Sequence, residues 1–263
     1  MNNTKNQAIR ILITNDDGIH APGIAILESI AKNITDDVWV VAPDEEKSGA
    51  AHSISLSQPI RMRQLDERHF QVSGTPTDCV LMAVYEVLKD RRPTFVLSGI
   101  NSGANLADDV SYSGTIAAAM EGTVLGMRSI AVSQLRGPNR QIDFSPCISH
   151  APDLIAKLLQ MDEWPSDSFF NINFPHAPPS TISEVKLTTQ GQRPAGFFSI
   201  DSRTDTRLQP YFWIKVDYSD ADADLEPETD RHAIAENAIS VTPIKMNFTD
   251  VKWRNELQAS LVL

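Results

Sequence analysis

The stretch Ile11-Leu12-Ile13-Thr14-Asn15-Asp16-Asp17-Gly18-Ile19-His20 decides how this chain folds. The aliphatic and β-branched residues at positions 9–14 predict a buried strand, and the strand ends on two adjacent carboxylates and a glycine. Two neighbouring negative charges repel each other, so a bound cation is the simplest way to keep both at a dry strand end. We therefore expect Asp16 and Asp17 to hold a divalent metal ion. The alternative is that both aspartates cap the next helix and face water.

The segments that follow predict the fold class. Apolar residues at helical spacing come after residues 21–23, and residues 38–42 read as a second buried strand. A strand, a helix and a strand form a right-handed βαβ unit, which begins a Rossmann-like, doubly wound, mostly parallel α/β sheet. Further strands are expected at 94–98, 129–133 and 169–174, helices at 76–88, 114–122 and 152–159, and an antiparallel pair or side excursion at 60–63 and 69–72.

The pattern changes after Pro175, where prolines cluster and the strands become short and polar. We predict a core of residues 1–175 and a C-terminal region, 176–263, of hairpins and extensions. In that region we expect an acidic, solvated loop at 217–228, a helix at 229–237 and strands near 185–189, 197–200, 211–216 and 238–243.

Composition narrows the function classes. The chain has 263 residues and a formal net charge of −11, which argues against a nucleic-acid polymer as partner but leaves a single nucleotide open. Two distant cysteines, Cys79 and Cys147, do not make a zinc site or a disulfide framework. The polar N-terminus predicts no signal peptide, and the apolar runs are too short for a membrane span. We expect a cytoplasmic protein without a membrane partner.

Other polar segments are expected at the same edge of the sheet as the aspartate pair, because ligands bind beyond the carboxyl ends of parallel strands. Ser48 follows the second strand, and Asn101 and Asn105 follow the third. Each of these residues, taken alone, is typical of an ordinary turn. Together, however, oxygen ligands from Asp, Ser and Asn suit Mg²⁺ or Mn²⁺ and disfavour zinc. The segment Ser113-Gly114-Thr115 caps a helix, whose N-terminus is a ready anion site.

Two loop histidines, His20 and His52, flank the predicted site in the sequence. His52 lies four residues after Ser48, so it can reach a leaving-group oxygen as a general acid, although a lone loop histidine is more often structural. A dinucleotide fingerprint fits poorly, because no Gly-x-Gly-x-x-Gly follows the first strand. A dehalogenase-type phosphatase also fits poorly, because position 18 is glycine rather than a second spaced carboxylate.

These residues resemble the survival protein SurE family of nucleotidases. The resemblance implies a metal-dependent phosphatase, a 5′-nucleotidase that also accepts nucleoside 3′-monophosphates and sometimes short polyphosphate. The motifs that carry it are Thr14-Asn15-Asp16-Asp17-Gly18, Ala42-Pro43 with Ser48-Gly49 and His52-Ser53, Gly74-Thr75-Pro76-Thr77-Asp78-Cys79-Val80, Ser98-Gly99-Ile100-Asn101-Ser102-Gly103-Ala104-Asn105, and Tyr112-Ser113-Gly114-Thr115-Ile116-Ala117-Ala118-Ala119-Met120-Glu121-Gly122, with weaker echoes in Asn171-Ile172-Asn173-Phe174-Pro175, Tyr211-Phe212-Trp213 and Ile239-Ser240-Val241-Thr242-Pro243.

Carried over residue by residue, the resemblance implies one divalent ion per subunit, Mg²⁺ or Mn²⁺. Its implied ligands are Asp16, Asp17, Ser48 and Asn101, with Asp16 and Asp17 as the catalytic pair. The implied phosphate-binding positions are Asn105, Ser113, Gly114 and Thr115.

The resemblance also implies a homodimer or homotetramer whose subunits exchange C-terminal segments. One departure from the family stands at Leu106-Ala107, where a glycine is expected directly after Asn105, and another is expected before the aspartates that follow. The geometry of the substrate loop therefore needs an explanation.

The predicted mechanism is hydrolysis by a metal-activated water, with Asn105 and the N–H groups near Gly114 holding the other phosphoryl oxygens. A rival mechanism is nucleophilic attack by Asp16 through an aspartyl-phosphate. Two other classes stay open, a non-catalytic regulator that binds a metal and a nucleotide, and an assembly protein.

Overall fold

The computed structural model describes residues 9–194, 196–216 and 225–261. The strands there are β1 (Ile11–Thr14), β2 (Val38–Pro43), β3 (Met62–Gln64), β4 (His69–Val72), β5 (Phe95–Ser102), β6 (Arg128–Gln134), β7 (Ser168–Phe174), β8 (Val185–Leu187), β9 (Phe198–Thr204), β10 (Pro210–Val216) and β11 (Ile239–Lys245). The α-helices there are α1 (Pro22–Lys32), α2 (Pro76–Met82), α3 (Gly114–Val124), α4 (Ser145–Leu159), α5 (Asp230–Ala235) and α6 (Val251–Ser260).

A mostly parallel sheet forms the centre, and its strand order is β3-β4-β2-β1-β5-β6-β7-β11-β8. The run from β4 to β7 is parallel throughout, whereas β3 and β11 run antiparallel to their neighbours β4 and β7. The strand order reverses direction at β1, as in doubly wound folds. The Rossmann-like α/β prediction is confirmed.

Both faces of the sheet are covered, which explains why β1 is apolar at every position. Ile11 and Ile13 pack in one cluster with Leu27 of α1 and Ile155 of α4. Leu12, between them, packs on the opposite face with residues of α2 and α3. Because successive strand side chains point to opposite faces, a strand covered on both sides needs an unbroken apolar run.

Two elements of the first half differ from the sequence prediction. The strands β3 and β4 form the expected antiparallel pair, but β4 also pairs with β2, so the two extend the main sheet. The helix predicted over 76–88 begins as α2, with Thr75 as its N-cap, and ends in a π-helical turn, Ala83–Val87.

The C-terminal half contributes to two different structures. The strands β8 and β11 add to the end of the main sheet, and β9 and β10 form a separate two-stranded hairpin. The division into 1–175 and 176–263 stays a prediction. Residues 217–224 of the acidic run lie outside the described residues. Among the residues described, no helix combines the length and the apolar character that a membrane crossing requires.

Candidate functional site

Asp16 lies at the carboxyl end of β1, where the sequence places it, and it is almost completely buried, with 4% of its surface exposed. Burial raises the pKa of Asp16 from its ordinary value of 3.8 to about 6. A hydrogen bond from Thr115 opposes this rise, and the negative charge of Asp17 adds to it. The carboxylate is therefore held in a place where its charge is costly without a cation.

The N-terminus of α3 packs directly against Asp16. The Thr115 hydroxyl donates a hydrogen bond to Asp16 Oδ1, and Ser113 caps the helix by accepting the N–H of Ile116 at 3.1 Å. Gly114 between them has no room for a side chain, because an added Cβ would lie 2.7 Å from Asp16 Cβ. Glycine at this position lets the free N–H groups of the helix approach the carboxylate and any anion beside it.

Asp17 is hydrogen-bonded to the end of β5, which extends through Asn101 to Ser102 rather than ending at residue 98 as predicted. The backbone N–H of Ser102 donates to Asp17 Oδ2 at 2.9 Å. Burial raises the pKa of Asp17, while the Ser102 bond and the positive charge of Arg136 oppose the rise. Asn101, next to Ser102, donates its amide nitrogen to Gly103 O at 2.8 Å, so its amide oxygen is the atom that suits a cation.

The loop after β2 reaches the same point from the other side. The N–H of Lys47 donates to the backbone oxygen of Asp16 at 2.8 Å. Ser48, the next residue, is exposed, and its hydroxyl donates to Glu46 Oε1 at 2.7 Å. Both loops predicted to supply metal ligands therefore touch the aspartate pair through the residue adjacent to the predicted ligand.

The sequence motifs do not single out two charged residues that lie at the site, Glu46 and Arg136. The carboxylate of Glu46 accepts the Ser48 hydroxyl, and its negative charge raises the pKa of both Asp16 and Asp17. Arg136 donates from Nε to the Ser102 hydroxyl at 3.1 Å. Arg136 follows β6 by two residues, so the rule that ligands gather at the carboxyl edge could have identified it.

Asn105 is buried in a network of asparagines that ties it to β6 and β7. Its amide nitrogen donates to Ser133 Oγ at 2.8 Å, and its N–H donates to Asn173 Oδ1 at 2.8 Å. Its backbone oxygen accepts from the amide nitrogens of Asn171, at 2.9 Å, and Asn173, at 3.1 Å. The network fixes the position of Asn105 while one of its amide hydrogens is already bonded within the protein.

His52 is held against the side of α3 rather than at its N-terminus. Its Nε2 lies 2.9 Å from Glu121 Oε2. Glu121 is six residues beyond Thr115, which corresponds to about 9 Å along the helix axis. The role of His52 as a general acid stays a hypothesis.

The residues at the site fit a hard divalent cation. The predicted donors are carboxylate, hydroxyl and amide oxygens. Burial raises the pKa of Asp16, so its ionised form is costly and a bound cation would stabilise it. Within 9–194, 196–216 and 225–261, no three Asp, Glu, His or Cys side chains are grouped as ligands of one ion. A site here therefore depends on the two aspartates together with neutral oxygen donors.

The fold and the site define a Rossmann-like α/β protein with an acidic, oxygen-lined site at the carboxyl edge of its sheet. Residues 11–196 match the model of the family described as Survival protein SurE, and the chain belongs to the SurE family. The resemblance seen in the motifs is thereby confirmed.

Relatives match over nearly the whole chain. A protein of Methylorubrum extorquens named 5′-nucleotidase SurE is 50% identical over 246 residues, which cover 92% of this chain and 95% of that protein. One of the same name from Brucella suis is 49% identical over 256 residues, with 96% and 98% covered. The crystal structure of the Aquifex aeolicus SurE protein superposes with a TM-score of 0.80 at 35% identity, covering 95% of this chain and 99% of that one.

Proposed function

We propose that this chain is a metal-dependent phosphomonoesterase that hydrolyses nucleoside 5′-monophosphates to nucleoside and phosphate. The relatives named 5′-nucleotidase SurE support the reaction and the substrate class. The observation that carries the proposal is the contact between Asp16 and the N-terminus of α3, because it sets a buried carboxylate beside an anion-binding helix end.

In this proposal Asp16, Asp17, Ser48 and Asn101 hold one Mg²⁺ or Mn²⁺ per subunit. When bound, such an ion polarises a phosphoryl oxygen and lowers the pKa of water toward neutrality. The Thr115 hydroxyl and the Ser102 N–H orient the two carboxylates by donating to them.

The remaining residues bind the substrate phosphate. The free N–H groups at the start of α3, around Gly114, point at the phosphoryl oxygens and stabilise charge as it grows in the transition state. Asn105 holds the far side of the phosphate, and the buried network behind it keeps its amide in place. Arg136, beside Asp17, adds a positive charge to a site that is otherwise acidic.

The test is phosphate release from a panel of nucleotides in the presence of Mg²⁺, Mn²⁺, Co²⁺ or Ca²⁺, and after chelation. Asp16→Asn and Asp17→Asn should each lower turnover by at least about a hundredfold. Asp37→Asn is the matched control, because Asp37 accepts bonds from Arg10 and Trp39 at the opposite edge of the sheet. Equal loss in all three variants would reject the assignment, and binding without turnover in the native chain would favour the regulator.

Two finer points belong to the same proposal. Activity on nucleoside 3′-monophosphates and short polyphosphate is tested by the same panel. Direct attack by water is tested with labelled substrate, because a trapped phosphoenzyme would favour the rival mechanism in which Asp16 is the nucleophile.

We further propose that the chain forms a homodimer or homotetramer through its C-terminal hairpin. The hairpin exposes large apolar side chains that a monomer would normally bury, among them Phe212 at 62% and Ile214 at 72% exposed. Light scattering on the native chain and on Ile214→Asp should show loss of assembly in the variant. A monomeric native chain would exclude the proposal.

Both cysteines are free and buried, which fits the reducing cytoplasm in which we place the protein.

A further inference from the structure

Residues 105–113, which we name the 105–113 loop, connect Asn105 to the N-cap Ser113 of α3. Both ends of the loop carry phosphate-binding positions in the proposed function, and the present inference rests on that function. We propose that Asp230 and Arg193, from the C-terminal part of the chain, are positioning residues that hold the 105–113 loop in its phosphate-binding conformation.

Asp230 holds the loop through a fully buried carboxylate. Its Oδ2 accepts the N–H of Ala107 at 2.8 Å, and its Oδ1 accepts the N–H groups of Gly191, at 2.9 Å, and Arg231, at 2.7 Å. The side chain has no exposed surface. A buried carboxylate that accepts several backbone N–H groups fixes the segments it joins, since each donor would otherwise be left unsatisfied.

Ala107 needs this support because of its backbone conformation. Its φ is +53°, in the left-handed region that glycine occupies freely and alanine occupies only at a cost. Both backbone polar groups of Ala107 are bonded, since Asp230 accepts its N–H and Gln190 Nε2 donates to its carbonyl oxygen at 3.0 Å. External bonds from the C-terminal part therefore replace the freedom that a glycine would supply at this position.

Arg193 forms hydrogen bonds with the next two residues of the loop, Asp108 and Asp109. Its backbone N–H donates to Asp108 Oδ2 at 2.6 Å, and its guanidinium donates to the largely buried carboxylate of Asp109. The backbone oxygen of Asp109 in turn accepts the N–H groups of Tyr112 and Ser113, both at 3.0 Å. A continuous chain of bonds thus leads from Arg193 to the N-cap of α3.

The segments that make these bonds also bind each other. The N–H of Asp230 donates to Thr189 O at 2.9 Å, and the N–H of Thr189 donates to Glu228 O at 2.9 Å. Residues 189–193 and 228–231 therefore act on the loop as one unit. The predicted metal ligands lie outside the 105–113 loop, so releasing this unit should weaken phosphate binding and spare the metal.

The experiment compares the native chain with Asp230→Asn, in which one carboxylate oxygen becomes an amide nitrogen that cannot accept an N–H. Inorganic phosphate and Mn²⁺ are titrated calorimetrically, and hydrogen exchange is followed by mass spectrometry. We expect affinity for inorganic phosphate to fall about tenfold and exchange of the 105–113 loop to rise, while Mn²⁺ affinity stays within about twofold. Asp37→Asn should alter none of these three readouts.

Rescue separates positioning from general stability. Adding Ala107→Gly to Asp230→Asn should recover most of the lost phosphate affinity, because glycine adopts φ of +53° without the bond. Unchanged phosphate affinity and exchange in Asp230→Asn would overturn the proposal, and so would an equal loss of Mn²⁺ affinity. If the native chain hydrolyses no nucleotide, the proposed function fails, whereas the exchange of the loop still decides the positioning role.

Discussion

Replacing Asp16 by asparagine should stabilise the metal-free protein at neutral pH while abolishing its activity. The asparagine side chain has nearly the same shape and can still accept the hydrogen bond of the Thr115 hydroxyl, but it carries no charge. The variant therefore removes the cost of a buried carboxylate and keeps the local packing. Stability and catalysis should move in opposite directions, as they often do when a functional site is strained.

The magnitude follows from the pKa of Asp16. Burial raises that pKa from 3.8 to about 6, and the difference corresponds to about 3 kcal/mol once the group is ionised in both states. Because the folded pKa lies above the unfolded one, the folded chain binds the proton more tightly. The contribution of Asp16 to stability is therefore greatest below about pH 4, is lost as pH rises from about 4 to 6, and is constant above that range.

The assay is urea denaturation of both proteins in chelator between pH 5 and pH 8. We expect the variant to gain about half of the 3 kcal/mol at pH 5 and nearly all of it from pH 7 upward. Mn²⁺ should stabilise the native chain at pH 7 and leave the variant unchanged. Equal stability of the two proteins at every pH, or equal stabilisation by Mn²⁺, would refute the reasoning.

Three further variants test the surrounding residues. Gly114→Ala places a methyl group 2.7 Å from Asp16 Cβ, so it should lower kcat/KM by about a hundredfold or more, and near-native activity would contradict the close packing. Arg136→Ala should raise the pKa of Asp17 further and move the acidic limb of the pH–rate profile to higher pH, whereas Arg136→Lys should leave that limb nearly unchanged. His52→Ala should slow hydrolysis of nucleotides more than of a substrate with an acidic leaving group, with Mn²⁺ binding retained; unchanged nucleotide turnover would exclude His52 as the general acid.

Much of the central site was predictable because the geometry of parallel sheets places strand ends together. The apolar runs of β1, β2 and β5 predict three neighbouring parallel strands, so the segments carrying Asp16, Ser48 and Asn101 meet at one edge. The N-cap of α3 is also predictable, since Ser113 is followed by strong helix formers. In the structure the Ser113 side chain accepts the N–H of Ile116, as expected of an N-cap.

Other features of the fold and of the site depend on long-range contacts that no local sequence pattern predicts. Asp230 reaches Ala107 across 123 residues of chain, and nothing around a single aspartate at a helix start predicts which loop it will bind. The placement of β11 beside β7 likewise follows from packing rather than from the residues of β11. The sequence does not predict helix α6, because its described side chains are almost all exposed and form no apolar stripe.

The most direct test of the central claim is Mn²⁺-dependent phosphate release from AMP by the chelator-treated chain. We predict no release without metal, full release once about one equivalent of Mn²⁺ per subunit is bound, and none from Asp16→Asn at any Mn²⁺ concentration. Full release in chelator, or release from Asp16→Asn that matches the native chain, would contradict the account.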